Sequence, residues 1–173
     1  FSTTTTNVVS LCPNGLTTQI GAGAASPAAC SGISGCDHGT HVAGIAAGSG
    51  ASFSGVARGA AIIGVQVFSK FTSSGDCGGA APCVKTFFTD VIRGLEHVLT
   101  LKDTYQIASI NMSLGGGKYT SDAACDADNA AVKAAIDNLR SVGIASVISS
   151  GNDGFTDGIG TPGCVSTAIA VGS

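Results

Sequence analysis

The sequence predicts an α/β protein in which a mostly parallel central sheet is flanked by helices. Three observations lead there: continuous β-branched runs of strand length, helical patterns with a single apolar face between them, and glycine-rich turns where one gives way to the other. The 173 residues are 44% apolar and 11% charged with 26 glycines, the composition of a compact globular chain rich in tight turns. A chain of this length can bury roughly 70% of its unfolded surface in one domain, which is room enough for an enzyme.

Each element has its own signal. Residues 1–37 are rich in Thr, Ser, Gly, Ala and Cys without sustained periodicity and read as a surface loop held by disulfides. From His38 to about Gly48 the residues Val42, Ile45 and Ala46 recur at helical spacing, so "HGTHVAG" opens a helix. "AAIIGVQVF", residues 60–68, is a β-branched run of the kind buried on both faces of a sheet. "SSGDCGGAAPC" follows as a tight loop closed by Cys77 and Cys83.

The next helix is the strongest. In "KTFFTDVIRGLEHVLTL" the residues Phe88, Val91, Ile92, Leu95, Val98 and Leu99 make one apolar face, and His97 falls off it as a surface residue. "IASINMSLGGG", residues 107–117, reads as a strand ending in three glycines. "NAAVKAAIDNLRSVG" places Val132, Ile136 and Leu139 on one helical face and ends at Gly143, a C-terminal cap. "IASVISSGNDG" is a strand running into a turn, and "TAIAVG" begins another. Strands alternating with helices put function at the carboxyl ends of the strands.

Composition narrows the partners. No apolar run reaches about 18 residues, so no membrane span is expected. The net charge of −3 and eight scattered Lys and Arg residues leave no basic stripe for nucleic acid. Seven cysteines, with no C-x-x-C among them, fit a disulfide-forming compartment better than a zinc ribbon. The odd count requires a free thiol, an intermolecular bridge or a partner elsewhere. A start at Phe1 and a stop within the apolar "AIAVGS" favour the last of these.

His38 and His41, in "CDHGTHVAGIAAG", are the first candidates for chemistry. A helical metal pair is usually spaced i, i+4 with a glutamate nearby, whereas here Gly39 and Thr40 intervene and no Glu is close. Two packed histidines would be simpler, yet would leave the small residues around them unexplained. A general base explains more. Imidazole titrates near neutrality, and a histidine at a helix start on the carboxyl edge of a sheet can take a hydroxyl proton and return it to a leaving amine.

"DHGTHVAGIAAG" resembles the histidine motif of the subtilisin-like serine proteases, the subtilases of peptidase family S8. Two further blocks occur in that family's order: "INMSLGG", similar to the strand lining the substrate cleft, and "SSGNDG", similar to the strand end with the oxyanion-hole asparagine. "GVARGAAIIGVQVF" and "GCVSTAIAVGS" resemble flanking segments, so the likeness runs from about residue 37 to residue 173. It implies a three-layer subtilisin-like fold, incomplete at both ends, with residues 1–173 a partial catalytic domain. The implied activity is serine-type endopeptidase, acting through an acyl-enzyme on polypeptide substrates. The implied setting is extracellular, as a monomer, with an N-terminal propeptide a candidate partner.

Carried over by motif, His38 is the general base and His41 a packing residue one turn on. Asn152 donates its amide to the oxyanion. Ser113, Leu114 and Gly115 pair with the substrate backbone, and Ser149, Ser150 and Gly151 form the opposite wall. The departures are informative. The family's D-[ST]-G and G-T-S-M-A motifs, which hold its aspartate and nucleophilic serine, do not occur here, so this segment alone is expected to be inactive. Asp37 is no substitute, being expected to be solvated or to cap the helix. "GSGASFSG" lacks the Asn and Asp ligands of a tight calcium site, so no cofactor is expected from this segment, and calcium is left to the longer parent. For the cysteines, short loops suggest Cys30–Cys36 and Cys77–Cys83. The implied fold brings Cys125 to Cys164, and Cys12 is left for a cysteine upstream. An inactive homologue kept as a peptide-binding module is the competing reading.

Overall fold

The computed structural model describes residues 1–172. The chain divides into two compact units, Phe1–Gly94 and a second from Leu95 onward. The described residues carry an α/β arrangement of helices with parallel and antiparallel strands.

The first unit contains an antiparallel sheet of β1 (Val8–Ser10), β2 (Phe68–Phe71) and β3 (Cys83–Thr86), in that order. Val8 pairs with Phe71 and Ser10 with Ser69. Residues 1–37 are therefore not wholly the expected surface loop, since Ser2, Val8, Leu11 and Cys12 are buried. Hydrogen bonds satisfy the buried hydroxyls. Ser2 Oγ donates to the Phe68 carbonyl at 2.8 Å, shares a 2.9 Å bond with Ser69 Oγ, and accepts from the Leu11 N–H at 2.9 Å. A three-residue strand beside buried serines carries no periodic signal, which is why the sequence hides it.

The strand expected over residues 60–68 begins only at Phe68. Residues 60–67 join no ladder, and Ile62 and Ile63 are 50% and 44% exposed, because no described strand lies alongside to bury them. The first helix, α1 (His38–Ala47), forms where expected but buries none of its residues, so Val42, Ile45 and Ala46 do not act as a core face here. The loop closed by Cys77 and Cys83 contains a single turn, α2 (Ser74–Cys77), whose Asp76 N–H is capped by Ser73 Oγ. The long helix α3 (Phe88–Thr100) buries Val91, Leu95 and Val98 as its periodicity requires. Phe88, expected on that stripe, is 38% exposed at the helix start, and His97 is half-buried rather than on the surface.

The second unit is organised by a parallel sheet. Its strands β4 (Ser109–Met112), β6 (Ala145–Ser149) and β8 (Ile169–Val171) lie in the order β4-β6-β8. The glycines after β4 do not end a strand as expected. They lead into β5 (Gly116–Tyr119), which pairs antiparallel with β7 (Ile159–Thr161). A further helix, α4 (Asp122–Asp128), starts at Ser121, whose hydroxyl accepts the Ala124 N–H at 3.2 Å. Helix α5 (Ala130–Ser141) then buries Val132, Ala135, Ile136 and Leu139, a 3.6-residue stripe with Ile136 and Leu139 at 0% exposure. It ends at Val142 and Gly143, the latter at φ +84°. β6 alternates buried Ser146 and Ile148 with half-exposed neighbours.

Disulfides join Cys30 to Cys36, Cys77 to Cys83 and Cys125 to Cys164. Among the described residues Cys12 is a buried free thiol. No described helix is long and apolar enough to cross a membrane.

Candidate active site

Strand register creates the site in the second unit. Met112 of β4 lies opposite Ile148 of β6, so Ser113 and Ser149 leave the carboxyl edge of the parallel sheet side by side. Beyond that edge the two chains separate, and a cavity of about 310 Å3 opens between them. Its lining comprises Ser113, Leu114 and Gly115 with Gly116 and Gly117 on one side, and Ser149, Gly151, Asn152 and Asp153 on the other.

Hydrogen bonds hold the walls at their base. Ser149 Oγ donates to the Leu114 carbonyl at 3.4 Å, and Asn111 Nδ2 donates to Ser113 Oγ at 3.0 Å. Ser150, expected in the second wall, is not among the cavity residues. Its N–H donates to the Val171 carbonyl, and its own carbonyl accepts the Gly160 N–H, both at 2.9 Å, so its backbone fastens the wall to β8 and β7. Two glycines are required by geometry. A Cβ on Gly115 would stand 2.7 Å from the Thr161 carbonyl oxygen, and Gly151 has φ +106°, a conformation that side chains oppose. These backbones stay bare because anything larger would push the first wall away from β7 or strain the turn.

Sequence reasoning missed Gly116, Gly117 and Asp153 as lining residues. The unbroken "GGG" and the "GND" turn were the available signals, but the glycines read as a strand end. Asp153 brings a carboxylate to a lining otherwise made of glycine, serine, leucine and asparagine, with Oδ2 3.7 Å from where a Gly151 Cβ would be.

In the first unit His38 is the first residue of α1 and is exposed. Its backbone N–H donates to the Gly35 carbonyl at 3.2 Å. His41 corrects the expectation of a packing residue, for its side chain is 73% exposed. One turn of helix sets His41 Nε2 3.6 Å from Asp37 Oδ2. Asp37 makes no capping hydrogen bond; of its two expected roles the solvated one holds, its side chain being 77% exposed with the carboxylate facing His41. No cluster of three or more His, Cys, Asp or Glu side chains suited to a metal ion occurs among the described residues.

Electrostatics in the second unit centre on aspartates. Asp126 is held below the usual carboxylate range by the Ser166 hydroxyl and then by the Ser166 N–H. Asp157 is lowered by its hydrogen bond and charge pairing with Lys118, and Asp137 by its hydrogen bond with Lys133.

Comparison with known proteins bears on the family. The family model described as the subtilase family matches residues 31–173. An extracellular serine proteinase of Thermus sp. (strain Rt41A) is 34% identical over 136 residues, covering 79% of this chain and 27% of that protein. A subtilisin-like protease of Coccidioides posadasii is 33% identical over 139 residues, covering 79% of this chain and 28% of its own. Alkaline protease 1 of Aspergillus flavus is 31% identical over 134 residues, with coverage of 78% and 28%. The chain thus spans 27–28% of the length of these curated relatives.

Proposed function

Because this chain belongs to the subtilase family, we propose that the protein carrying it is a serine-type endopeptidase with its substrate cleft at the carboxyl ends of β4 and β6. The observation that carries this reading is the cavity between two bare-backbone walls with Asn152 on its rim. Ser113, Leu114 and Gly115, along one wall of the cavity, would pair with an extended peptide as an added strand. Ser149 and Gly151, with Ser150 fastening them from behind, face the side chain that precedes the scissile bond.

In this reading His38 takes the proton from a serine hydroxyl as the serine oxygen attacks the peptide carbonyl. The carbonyl π electrons move to oxygen, and the Asn152 amide donates to the resulting oxyanion. His38 then protonates the departing amine, which leaves an acyl-enzyme for water to hydrolyse by the same steps. The serine and the carboxylate orienting His38 belong to parts of the protein outside these residues, so the segment alone is inactive. The chemistry assigned to these residues uses no metal. The three disulfides and the relative named as extracellular support an extracellular setting; polypeptides are the proposed substrates and a single chain the proposed working form.

The test is proteolysis by the full-length protein. Cleavage of internal bonds in a denatured protein, blocked by a serine-directed covalent inhibitor and lost in His38→Ala, is the expected result. In subtilisin, the family's namesake, removing the histidine costs about 10⁶ in kcat, a magnitude carried over from that relative. Binding of peptides without any cleavage would instead favour the inactive peptide-binding module.

A further inference from the structure

The two walls of the cavity separate after leaving the sheet, and one side chain spans them farther out. Lys118, on β5 just beyond the Gly115–Gly117 wall, places Nζ 2.6 Å from Asp157 Oδ1 and 5.1 Å from the centre of the Phe155 ring. Phe155 and Asp157 belong to the loop that begins with Gly151 and Asn152 and is exposed from residue 151 to residue 157. Ser150 fastens the entry of this loop to Val171, and β7 receives its exit. Between those ends, Lys118 grips the loop at two points, by charge on one residue and by ring face on another.

We propose that Lys118 is a positioning residue that sets the place of the Asn152 loop relative to the Gly115–Gly117 wall, and through it the aim of the Asn152 amide. This rests on the endopeptidase reading given above. The physical reasoning is one of scale. An exposed ion pair contributes little to global stability, so the grip is felt where a loop's placement matters more than its unfolding. Oxyanion donors are such a place, because a displacement of about 1 Å from the productive geometry can cost on the order of 10²-fold in rate. Lys118 touches neither substrate nor reacting atoms and acts through the loop.

The experiment compares wild type, Lys118→Met, Lys118→Arg, Asp157→Asn and the Lys118→Met/Asp157→Asn double variant in the full-length protein, using one fluorogenic peptide. Lys118→Met is expected to lower kcat about fivefold to tenfold with KM within about twofold and an unchanged melting temperature. Lys118→Arg keeps the charge and recovers most of the rate. The double variant is expected to be no slower than the worse single variant, because both remove the same contact. An unchanged kcat in Lys118→Met, or losses in the two single variants that multiply in the double, would overturn the proposal. An arm independent of activity uses NMR: ring current from Phe155 shifts the Lys118 ε-methylene protons upfield in wild type but not in Phe155→Leu. If the wild type cleaves no peptide, the endopeptidase reading fails by itself; if those protons are unshifted, the grip on the loop is absent and this inference fails whatever the activity.

Discussion

Asp126 accepts two hydrogen bonds from Ser166, from the backbone N–H at 3.0 Å and from the hydroxyl at 2.6 Å. The neighbouring residue, Cys125, is joined to Cys164 by a disulfide. Helix α4 and the segment following β7 are thus tied twice within a few residues of the chain that backs the candidate cleft.

The polar tie predicts a pH dependence of stability. Hydrogen bonds from Ser166 hold the Asp126 carboxyl below its ordinary value of 3.8 in the folded protein. A carboxyl depressed in the folded state binds protons more readily when unfolded, so its contribution is present above the unfolded value and lost as pH falls through the folded one. Asp126→Asn should therefore be less stable than wild type by a constant margin near neutrality, and the margin should shrink below about pH 4. Urea unfolding from pH 2 to pH 7 measures it, and a margin independent of pH would contradict the assignment.

The covalent tie predicts a ranking among the disulfides. Cys125–Cys164 closes 39 residues, against six for Cys77–Cys83. Loop-closure entropy alone makes the longer link worth about 4 kcal/mol and the shorter about 2 kcal/mol. The paired Cys125→Ser and Cys164→Ser variant should accordingly lose more stability in urea than the paired Cys77→Ser and Cys83→Ser variant.

Asp90 anchors the start of the described chain. It is 1% exposed, and its Oδ2 accepts both the N–H and the hydroxyl of Thr3, at 2.9 and 2.8 Å, while Arg93 Nη1 stands 3.6 Å from Oδ1. Asp90→Ala removes all three interactions and should destabilise the protein by about 2–3 kcal/mol. Thr3→Ala in the Asp90→Ala background should add little, and a double-mutant cycle in denaturant checks the coupling.

Gly115 predicts a change in activity rather than in fold. The Cβ of Gly115→Ala would meet the Thr161 carbonyl oxygen at 2.7 Å, so the Gly115 wall and β7 must part by several tenths of an ångström. We expect kcat/KM for peptide hydrolysis to fall about tenfold or more, given the sensitivity of bound geometry to small displacements.

Much of this arrangement is legible in the residues where periodicity governs packing. The stripe of α5, Val132 with Ile136 and Leu139, is buried as its spacing implies, and α3 follows the same rule through Val91, Leu95 and Val98. Legibility fails where burial is polar or pairing is short. β1 is three residues long beside the buried Ser2–Ser69 hydrogen bond, and the β5–β7 ladder starts from glycines that carry no side-chain pattern. The run over residues 60–67 has the composition of a core strand, but composition cannot supply a neighbouring strand, and Ile62 and Ile63 remain exposed. At the site, the resemblance of "INMSLGG" and "SSGNDG" to family motifs points to both walls of the cavity, whereas Lys118 and Asp157 meet through the fold and leave no local signal. Asp37 and His41 were readable in principle as an i, i+4 pair on one helix.

The most direct measurement of the central claim is the steady-state kinetics of Asn152→Ala in the full-length protein on a peptide substrate. An oxyanion donor acts in the transition state alone, so the account predicts a fall in kcat of about 10²–10³ with KM changed by less than about threefold, the former a magnitude known from subtilisin itself. A kcat equal to that of wild type, or a loss appearing only in KM, would contradict it.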